Sequence, residues 1–340
     1  MKKVNWGIIG LGSIAKQFAD GFFDIENARL LGVASRDKDK IDIFKKKFQL
    51  QSKFCFQEYD DLLEKEEIDI VYLALPTFLH KKWVINCFKK NKNILVEKPA
   101  FMDSNEILEI EKYYNNKQHF FEAFMYMFHP QIKKTIDLIE EGEIGELISM
   151  QSYFGNNILT KKKWFFFTKN KKIDKKKRIF NKEMGGGCIL DLGCYPVSFS
   201  TKIASLKREI KIQNIKYLNK KIIMGSTGVE VDASLDLIFD NDFKAEIGAS
   251  FKNNFGTRSE ILGSKGKIII MDTWTAQNSK IILKQKSKET VFNVNSYKNI
   301  YTNQIETISN LILKNNIYNH SISRLDQSKI NMQILDAWKN

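Results

Sequence analysis

In the first third of the chain the apolar residues fall in short continuous runs, and each run gives way to a stretch with helical spacing. Val4–Ile9 is the first; it breaks at Gly10-Leu11-Gly12-Ser13-Ile14-Ala15 and continues as a helix toward Phe18. A second run over 29–34 leads into a charged helix over about 37–48, then a short strand near Phe54 and a helix over 59–64. The run over 68–75 is apolar throughout its second half, as a strand covered on both faces must be, and it stops at Pro76. A helix over about 80–90, a strand over 93–96, a helix over about 104–115 and a strand over 119–123 complete the series. Alternating strands and helices of this kind predict an α/β domain over 1–123, a doubly wound parallel sheet with ligands at the carboxyl ends of its strands.

From residue 124 the rhythm changes. A helix over 130–141 and a strand over 147–153 precede a lysine-rich loop, and a glycine-rich run over 185–196 opens a helix reaching about 205. Alternating segments follow over 229–239, 243–250, 258–262, 267–271 and 280–284, separated by breaks such as Asp240-Asn241-Asp242 and Gly263-Ser264-Lys265-Gly266. Two helices close the chain near Trp338. The pattern predicts an α+β domain over 124–340 with a large, mostly antiparallel open sheet. Its helices are too few to cover both faces, so the outer face is expected to pack on another subunit, in a homodimer or homotetramer.

Composition narrows the partners. The chain has 340 residues, 43% hydrophobic and 28% charged, values typical of globular proteins, and no apolar run approaches bilayer length. The start, Met-Lys-Lys before an apolar stretch, mimics a signal peptide, but the same residues form a complete strand–turn–helix start. Cys55, Cys87, Cys188 and Cys194 show neither C-x-x-C spacing nor a metal-type pairing with the four histidines, which implies thiols in a reducing cytoplasm and no metal. The net charge of +14 is local: residues 1–123 hold 20 basic and 19 acidic side chains, whereas 161–182 hold 11 basic and one acidic. No nucleic-acid-binding signature accompanies that charge, so nucleic acid is not the expected partner. The basic stretch would favour an anionic substrate if it overhung the site; a solvated loop outweighs that reading.

Three constellations carry candidate chemistry. The first is the G-x-G-x-x-A turn between a strand and a helix, the context a dinucleotide fingerprint requires. Gly10 permits the tight turn, Gly12 lets the backbone approach a pyrophosphate, Ala15 lets helix and strand pack, and the amides at Ser13 and Ile14 open the helix toward phosphate. At the end of the second strand stand Ser35 and Arg36, with Asp37 placed to begin the next helix as its cap. A hydroxyl and a cation there favour the 2′-phosphate of NADP over the ribose of NAD, unless Arg36 only stacks over adenine.

Lys98, between Glu97 and Pro99, is the second constellation, because a strand delivers it to the cofactor edge. A lysine there can lower a partner's pKa and steady an alkoxide-like transition state. The third runs from Gly185 to Pro196. Asp191 and Tyr195 stand four apart and share a helical face, and a tyrosine beside a cation can exchange a proton. Pro196 predicts a kink or restart of the helix at Tyr195.

Together, G-x-G-x-x-A, L-P-T-x-x-H (Leu75, Pro76, Thr77 and His80), E-K-P, E-A-F-M-Y-x-x-H-P over 122–130 and R-I-F-x-x-x-x-G-G-G-x-x-x-D-x-G-x-Y-P from Arg178 resemble the glucose–fructose oxidoreductase / inositol dehydrogenase / MocA family. The likeness runs in order from residue 4 to about 205. It implies an N-terminal Rossmann domain, a C-terminal open-sheet domain, a nicotinamide cofactor and oxidation or reduction of a sugar, polyol or related diol. It implies that Lys98 is the active-site lysine, usually followed by a cis proline, and that Asp191 and Tyr195 match the acid and proton-transfer positions. Many members carry histidine at the latter; the tyrosine form is similar to the branch of dihydrodiol and xylose dehydrogenases. Met127 departs from that branch, which commonly has arginine.

The expected mechanism places NADP along Gly10 to Ala15, its adenosine end at Ser35 and Arg36, with Leu75, Pro76, Thr77, His80, Glu97 and Lys98 toward the nicotinamide. Tyr195 exchanges the substrate proton, Lys98 tunes it, and Asp191 orients the substrate or the lysine. An NAD-dependent glycosidase of the same fold and a non-catalytic cofactor-sensing regulator are the alternatives.

Overall fold

In a computed structural model of the chain, residues 2–340 are described except 24, 116, 165–166, 172, 208, 276, 287, 297–298 and 315–323, and of 161–170 only the backbone. The chain forms two compact units, 1–129 with 296–328 and 130–295 with 329–340. The sequence reading draws one boundary, at 123/124; here the chain returns to its first unit late.

The first unit holds β1 (Val4–Ile9), α1 (Ser13–Asp20), β2 (Ala28–Ala34), α2 (Lys38–Phe48), β3 (Cys55–Phe56), α3 (Tyr59–Leu63), β4 (Ile70–Leu73), α4 (His80–Lys89), β5 (Asn93–Val96), α5 (Ser104–Glu111) and β6 (Phe120–Glu122). Its six strands are all parallel, in the order β3-β2-β1-β4-β5-β6. The chain reverses direction across the sheet between β1 and β4, the point where doubly wound sheets open a crevice. All four residues of β4 are buried, as two-sided cover demands.

The late return supplies a helix that closes this core, numbered below as α8 (Ile300–Leu313). Its Ile305 and Ile308 are fully buried in the cluster with Trp6, Phe18 and Ala19. Trp6 Nε1 donates to Ser309 Oγ at 3.0 Å, and Thr302 Oγ1 donates to the Gly21 carbonyl at 3.1 Å. No local periodicity announces that these residues belong with β1.

The second unit contains α6 (Pro130–Glu140), β7 (Leu147–Gly155), β8 (Thr160–Trp164), β9 (Phe167–Asn170), α7 (Cys194–Ser205), β10 (Lys216–Met224), β11 (Glu230–Ile238), β12 (Lys244–Ser250), β13 (Ser259–Gly263), β14 (Lys267–Ile270), β15 (Asn278–Gln285) and β16 (Lys288–Asn295). A final helix, α9 (Leu325–Lys339), ends the chain. Eight strands form one sheet, β10-β11-β12-β7-β13-β14-β15-β16, antiparallel except for the β12–β7 pair. The lysine-rich stretch expected as a loop includes the antiparallel hairpin β8–β9, where Trp164 and Phe167 bring aromatic strand propensity into the lysine run.

The sheet's inner face is covered by α7, which has no exposed side: Cys194 through Ala204 are all buried. Its hydroxyls are satisfied within the helix, Ser198, Ser200 and Thr201 each donating to the carbonyl three residues back at 2.9–3.0 Å. The outer face carries a row fixed by register, Leu218, Asp236, Glu246, Gln151 and Glu260, continuing through Ile269 and Ile282 to Val291. Along it Leu218, the neighbouring Leu262 and Val291 keep 43–49% of their surface exposed. No helix among the described residues is long and apolar enough to cross a membrane.

Candidate active site

Four strands deliver their carboxyl ends to one edge of the parallel sheet, and the residues expected to hold a cofactor stand there. After β1, Gly10 has φ +89, and a Cβ on it would meet the Ala74 carbonyl oxygen at 2.6 Å. The protein itself therefore requires this glycine. Gly12 is different: its backbone is extended (φ −80, ψ −174), it is exposed, and a Cβ there would meet nothing within 4 Å. Nothing in the chain requires glycine at 12, so the space above it is the kind of cradle that a closely approaching ligand would use.

The helix behind it is also open to an anion. Asp37 caps α2, Asp103 caps α5 and Asn299 caps α8, whereas α1, like α4 and α7, begins with no side-chain cap and no acid in its first turn. Ser13 is exposed, Ile14 half-buried, and Ala15 is fully buried where helix meets strand. Uncapped amides and the positive end of the helix suit phosphate.

At the tip of β2, Ser35 Oγ accepts the Asp37 N–H at 3.2 Å, which leaves its proton to be donated elsewhere. Asp37 is occupied: it accepts the Lys40 N–H at 3.2 Å and pairs with the Lys40 ammonium at 3.1 Å. Those contacts hold its carboxyl below the ordinary range, the bond from the Lys40 side chain most of all. Arg36 lies over the Tyr59 ring, 5.7 Å from its centroid, a partner that no sequence signal marked.

After β4, Pro76 leads a single 3₁₀ turn over Thr77–Leu79, with Leu75 and Thr77 buried. His80 is fully buried and faces two main-chain carbonyls, Nδ1 3.0 Å from Ala100 O and Nε2 2.7 Å from Leu75 O. It thus ties the turn after β4 to the turn after β5. In that second turn the Lys98–Pro99 bond is cis. Glu97 accepts the Lys98 N–H at 3.2 Å through Oε2 and the Tyr72 hydroxyl through Oε1. Glu122, 2% exposed, accepts the Ala100 N–H at 2.9 Å and the Ser328 hydroxyl at 2.5 Å. Tyr301 of α8 stands within electrostatic reach of Glu97 and Lys98, its phenol pushed up to about 12 by burial first and Glu97 second. Sequence reasoning missed it, as it missed Glu122's role, because nothing local links these residues to the lysine. Met127 is buried, 7% exposed.

Asp191 and Tyr195 belong to the second unit. The glycine run folds against the chain's own backbone. Gly186 N and Gly187 N donate to Asn181 O and Ile179 O at 2.9 and 3.0 Å, and a Cβ on Gly187 (φ +107) would strike Glu230 Oε2 at 2.0 Å. Five residues of π-helix, Ile189–Gly193, then precede α7. Pro196 has no N–H for the carbonyl four residues back, and the widened turn absorbs that loss. The helix restarts at Cys194, one residue before the expected place. Asp191 accepts from Arg178 Nη2 at 2.5 Å. Tyr195, 6% exposed, is set edge-on to Phe154 and Trp274, with ring centroids at 5.2 and 5.8 Å. The basic stretch, weighed above as a solvated loop against an overhang of the site, falls in part on side chains outside the described residues; Lys175, Lys176 and Lys177 are exposed. Among the described residues no group of His, Cys, Asp or Glu could hold a metal ion.

Comparison with known proteins gives the same outline. Residues 4–123 match the oxidoreductase family with an NAD-binding Rossmann fold, and 132–269 match the GFO/IDH/MocA C-terminal domain. The chain is 26% identical over 277 residues to a dTDP-3,4-didehydro-2,6-dideoxy-α-D-glucose 3-reductase from Saccharopolyspora spinosa, covering 81% of this chain and 76% of that one. It is also 26% identical to a trans-1,2-dihydrobenzene-1,2-diol dehydrogenase from Xenopus tropicalis, over 84% of this chain and 80% of the relative. Two solved structures share the fold. One is a 3-ketoreductase from Actinomadura kijaniata in complex with NADP and TDP-benzene, at 19% identity and TM-score 0.80, covering 99% of this chain and 97% of that one. The other is an aldose–aldose oxidoreductase from Caulobacter crescentus complexed with glycerol, at 18% identity and TM-score 0.85 with the same coverage. The chain belongs to the GFO/IDH/MocA oxidoreductase family and is an NAD(P)-dependent oxidoreductase.

Proposed function

We propose that the protein is an NADP(H)-dependent oxidoreductase acting at a secondary carbinol or carbonyl of a sugar, polyol or related diol. The observation that carries this reading is the carboxyl edge of the parallel sheet, where an uncapped helix and an open glycine share a border with Lys98. Bound there, the cofactor supplies the hydride chemistry. Gly12, Ser13 and Ile14 present backbone to the pyrophosphate, while Gly10 and Ala15 hold the turn. Ser35 donates to the 2′-phosphate and Arg36 neutralises it, since Asp37 is spent on Lys40. Pro76 and Thr77 line the way to the nicotinamide, and His80, Leu75 and Glu97 fix the two turns that border it.

Tyr195 gives or takes the proton of the reacting oxygen, Lys98 supplies the cation that makes a phenol fit for that task, and Asp191 orients the substrate. Relatives that reduce a dTDP-linked sugar or oxidise a cyclic diol support this substrate class. The exposed apolar positions of the outer sheet face support a homodimer or homotetramer built through that face.

The test is a panel of aldoses, polyols, sugar phosphates and dTDP-sugars with NADP(H) and NAD(H), followed at the nicotinamide absorbance. Lys98→Met and Tyr195→Phe should each abolish turnover while NADPH still raises the unfolding temperature. Turnover near the wild-type rate in either variant refutes the assignment.

A further inference from the structure

The geometry points to Arg178 as a positioning residue that sets the carboxylate of Asp191, an inference that rests on the reading of Asp191 as part of the active site. Arg178 opens the 3₁₀ turn Arg178–Phe180, thirteen residues before its partner. That turn is welded to the glycine run by main-chain bonds, with Gly187 N donating to Ile179 O at 3.0 Å, Gly186 N to Asn181 O at 2.9 Å and Gly185 N to Lys182 O at 3.1 Å. A Cβ on Gly186 would lie 2.5 Å from Arg178 O, so only glycine lets the two segments approach this closely. The three glycines thus bring a guanidinium, rather than a ligand, to the start of the π-turn.

The guanidinium then spans two targets. Nη2 donates to Asp191 Oδ1 at 2.5 Å and Nη1 reaches toward the Gly185 carbonyl at 3.5 Å. Both partners are largely shielded, the side chains keeping 31% and 17% of their surface. A planar fork can bridge a carboxylate and a carbonyl in fixed directions; a lysine ammonium, a point charge on a flexible stem, cannot. The sequence bears on this choice. Only six of the 54 basic residues are arginine, and this one directly follows Lys175-Lys176-Lys177. In a chain that uses lysine almost everywhere, the arginine stands where fork geometry is used.

Arg178 fixes the rotamer of Asp191, and so the direction in which that carboxylate meets a substrate hydroxyl. The test uses the full-length protein with NADP(H) and the most active aldose of the panel. Arg178→Met should lower kcat about 100-fold, the scale of a misplaced catalytic group, with the KM for NADPH unchanged. Arg178→Lys should recover only part of that loss, and millimolar guanidinium should restore Arg178→Ala. Combined with Asp191→Asn, Arg178→Met should cost nothing further, because both changes remove the same arrangement. A crystal structure of the Arg178→Met protein should show the Asp191 carboxylate turned from its present position, and an unchanged unfolding temperature of Arg178→Lys separates this from misfolding. Wild-type turnover in Arg178→Met, additive losses in the double variant, or an unmoved Asp191 overturns the positioning role. Wild-type turnover in Asp191→Asn overturns the reading of Asp191 itself, and this inference with it.

Discussion

Replacing Gly12 by alanine separates what the fold needs from what a ligand needs. A methyl at 12 meets nothing within 4 Å, and the backbone there is extended, a conformation alanine adopts freely. Restricting the unfolded chain should then stabilise the protein by about 0.4–1 kcal/mol. For a unit of this size that is an increase of at most ~4 °C in unfolding temperature. Gly10→Ala is the contrast, since its left-handed backbone costs ~1–2 kcal/mol before the methyl meets a carbonyl oxygen at 2.6 Å.

The cofactor reverses the order. NADPH at a hundred times its Kd should stabilise the wild type by about 2.7 kcal/mol, or roughly 5–10 °C. Gly12→Ala should lose most of that increment, because its methyl would occupy the space proposed for the pyrophosphate. The assay is thermal unfolding followed by circular dichroism, with and without NADPH. A Gly12→Ala protein that keeps the full NADPH increment, or one that unfolds several degrees early without ligand, refutes the reasoning.

Three further outcomes are expected. Arg36→Ser should remove a charge-assisted contact worth about 1.5–3 kcal/mol and raise the KM for NADPH roughly 10- to 150-fold, leaving that for NADH unchanged; an equal effect on both would show that Arg36 only stacks over the adenine. His119, stacked on Phe121, is pushed below its ordinary range by burial. The unfolded chain therefore takes up more protons as the pH drops through about 6.5, so stability should decrease on acidification, and His119→Gln should flatten the difference between urea titrations at about pH 7.5 and 5. Light scattering should find the wild type as a dimer or tetramer and Leu218→Glu/Val291→Glu as a monomer; a monomeric wild type removes the outer face as an interface.

What was legible in the sequence follows from what each element must bury. β4 and β5 are apolar because helices cover both sides, and β11 alternates because only one face is covered, so each shows in the pattern. β10 and β16 do not. They are the edges of the open sheet, rich in lysine and asparagine and largely exposed, and no hydrophobic period marks them. Such residues also discourage edge-to-edge pairing. The convergence of Gly10, Arg36 and Lys98 on one edge of the parallel sheet was legible because they are short-range features of strand ends. Tyr59 beneath Arg36 and Tyr301 near Lys98 were not, since each comes from a separate element brought close by packing alone.

The helix that covers Trp6 is made very late. Ser309, its hydrogen-bond partner, leaves the ribosome 303 residues after it, a delay of about 15–60 s at ordinary rates of synthesis. Once β6 has emerged, and for the rest of that interval, the first unit has all six strands of its sheet but shows an aromatic flank, Trp6 with Phe18 and Phe22, to the surrounding solution. Translation order thus makes the nucleotide-binding half the aggregation-prone one, and a fragment stopped at residue 129 would carry that exposed flank permanently.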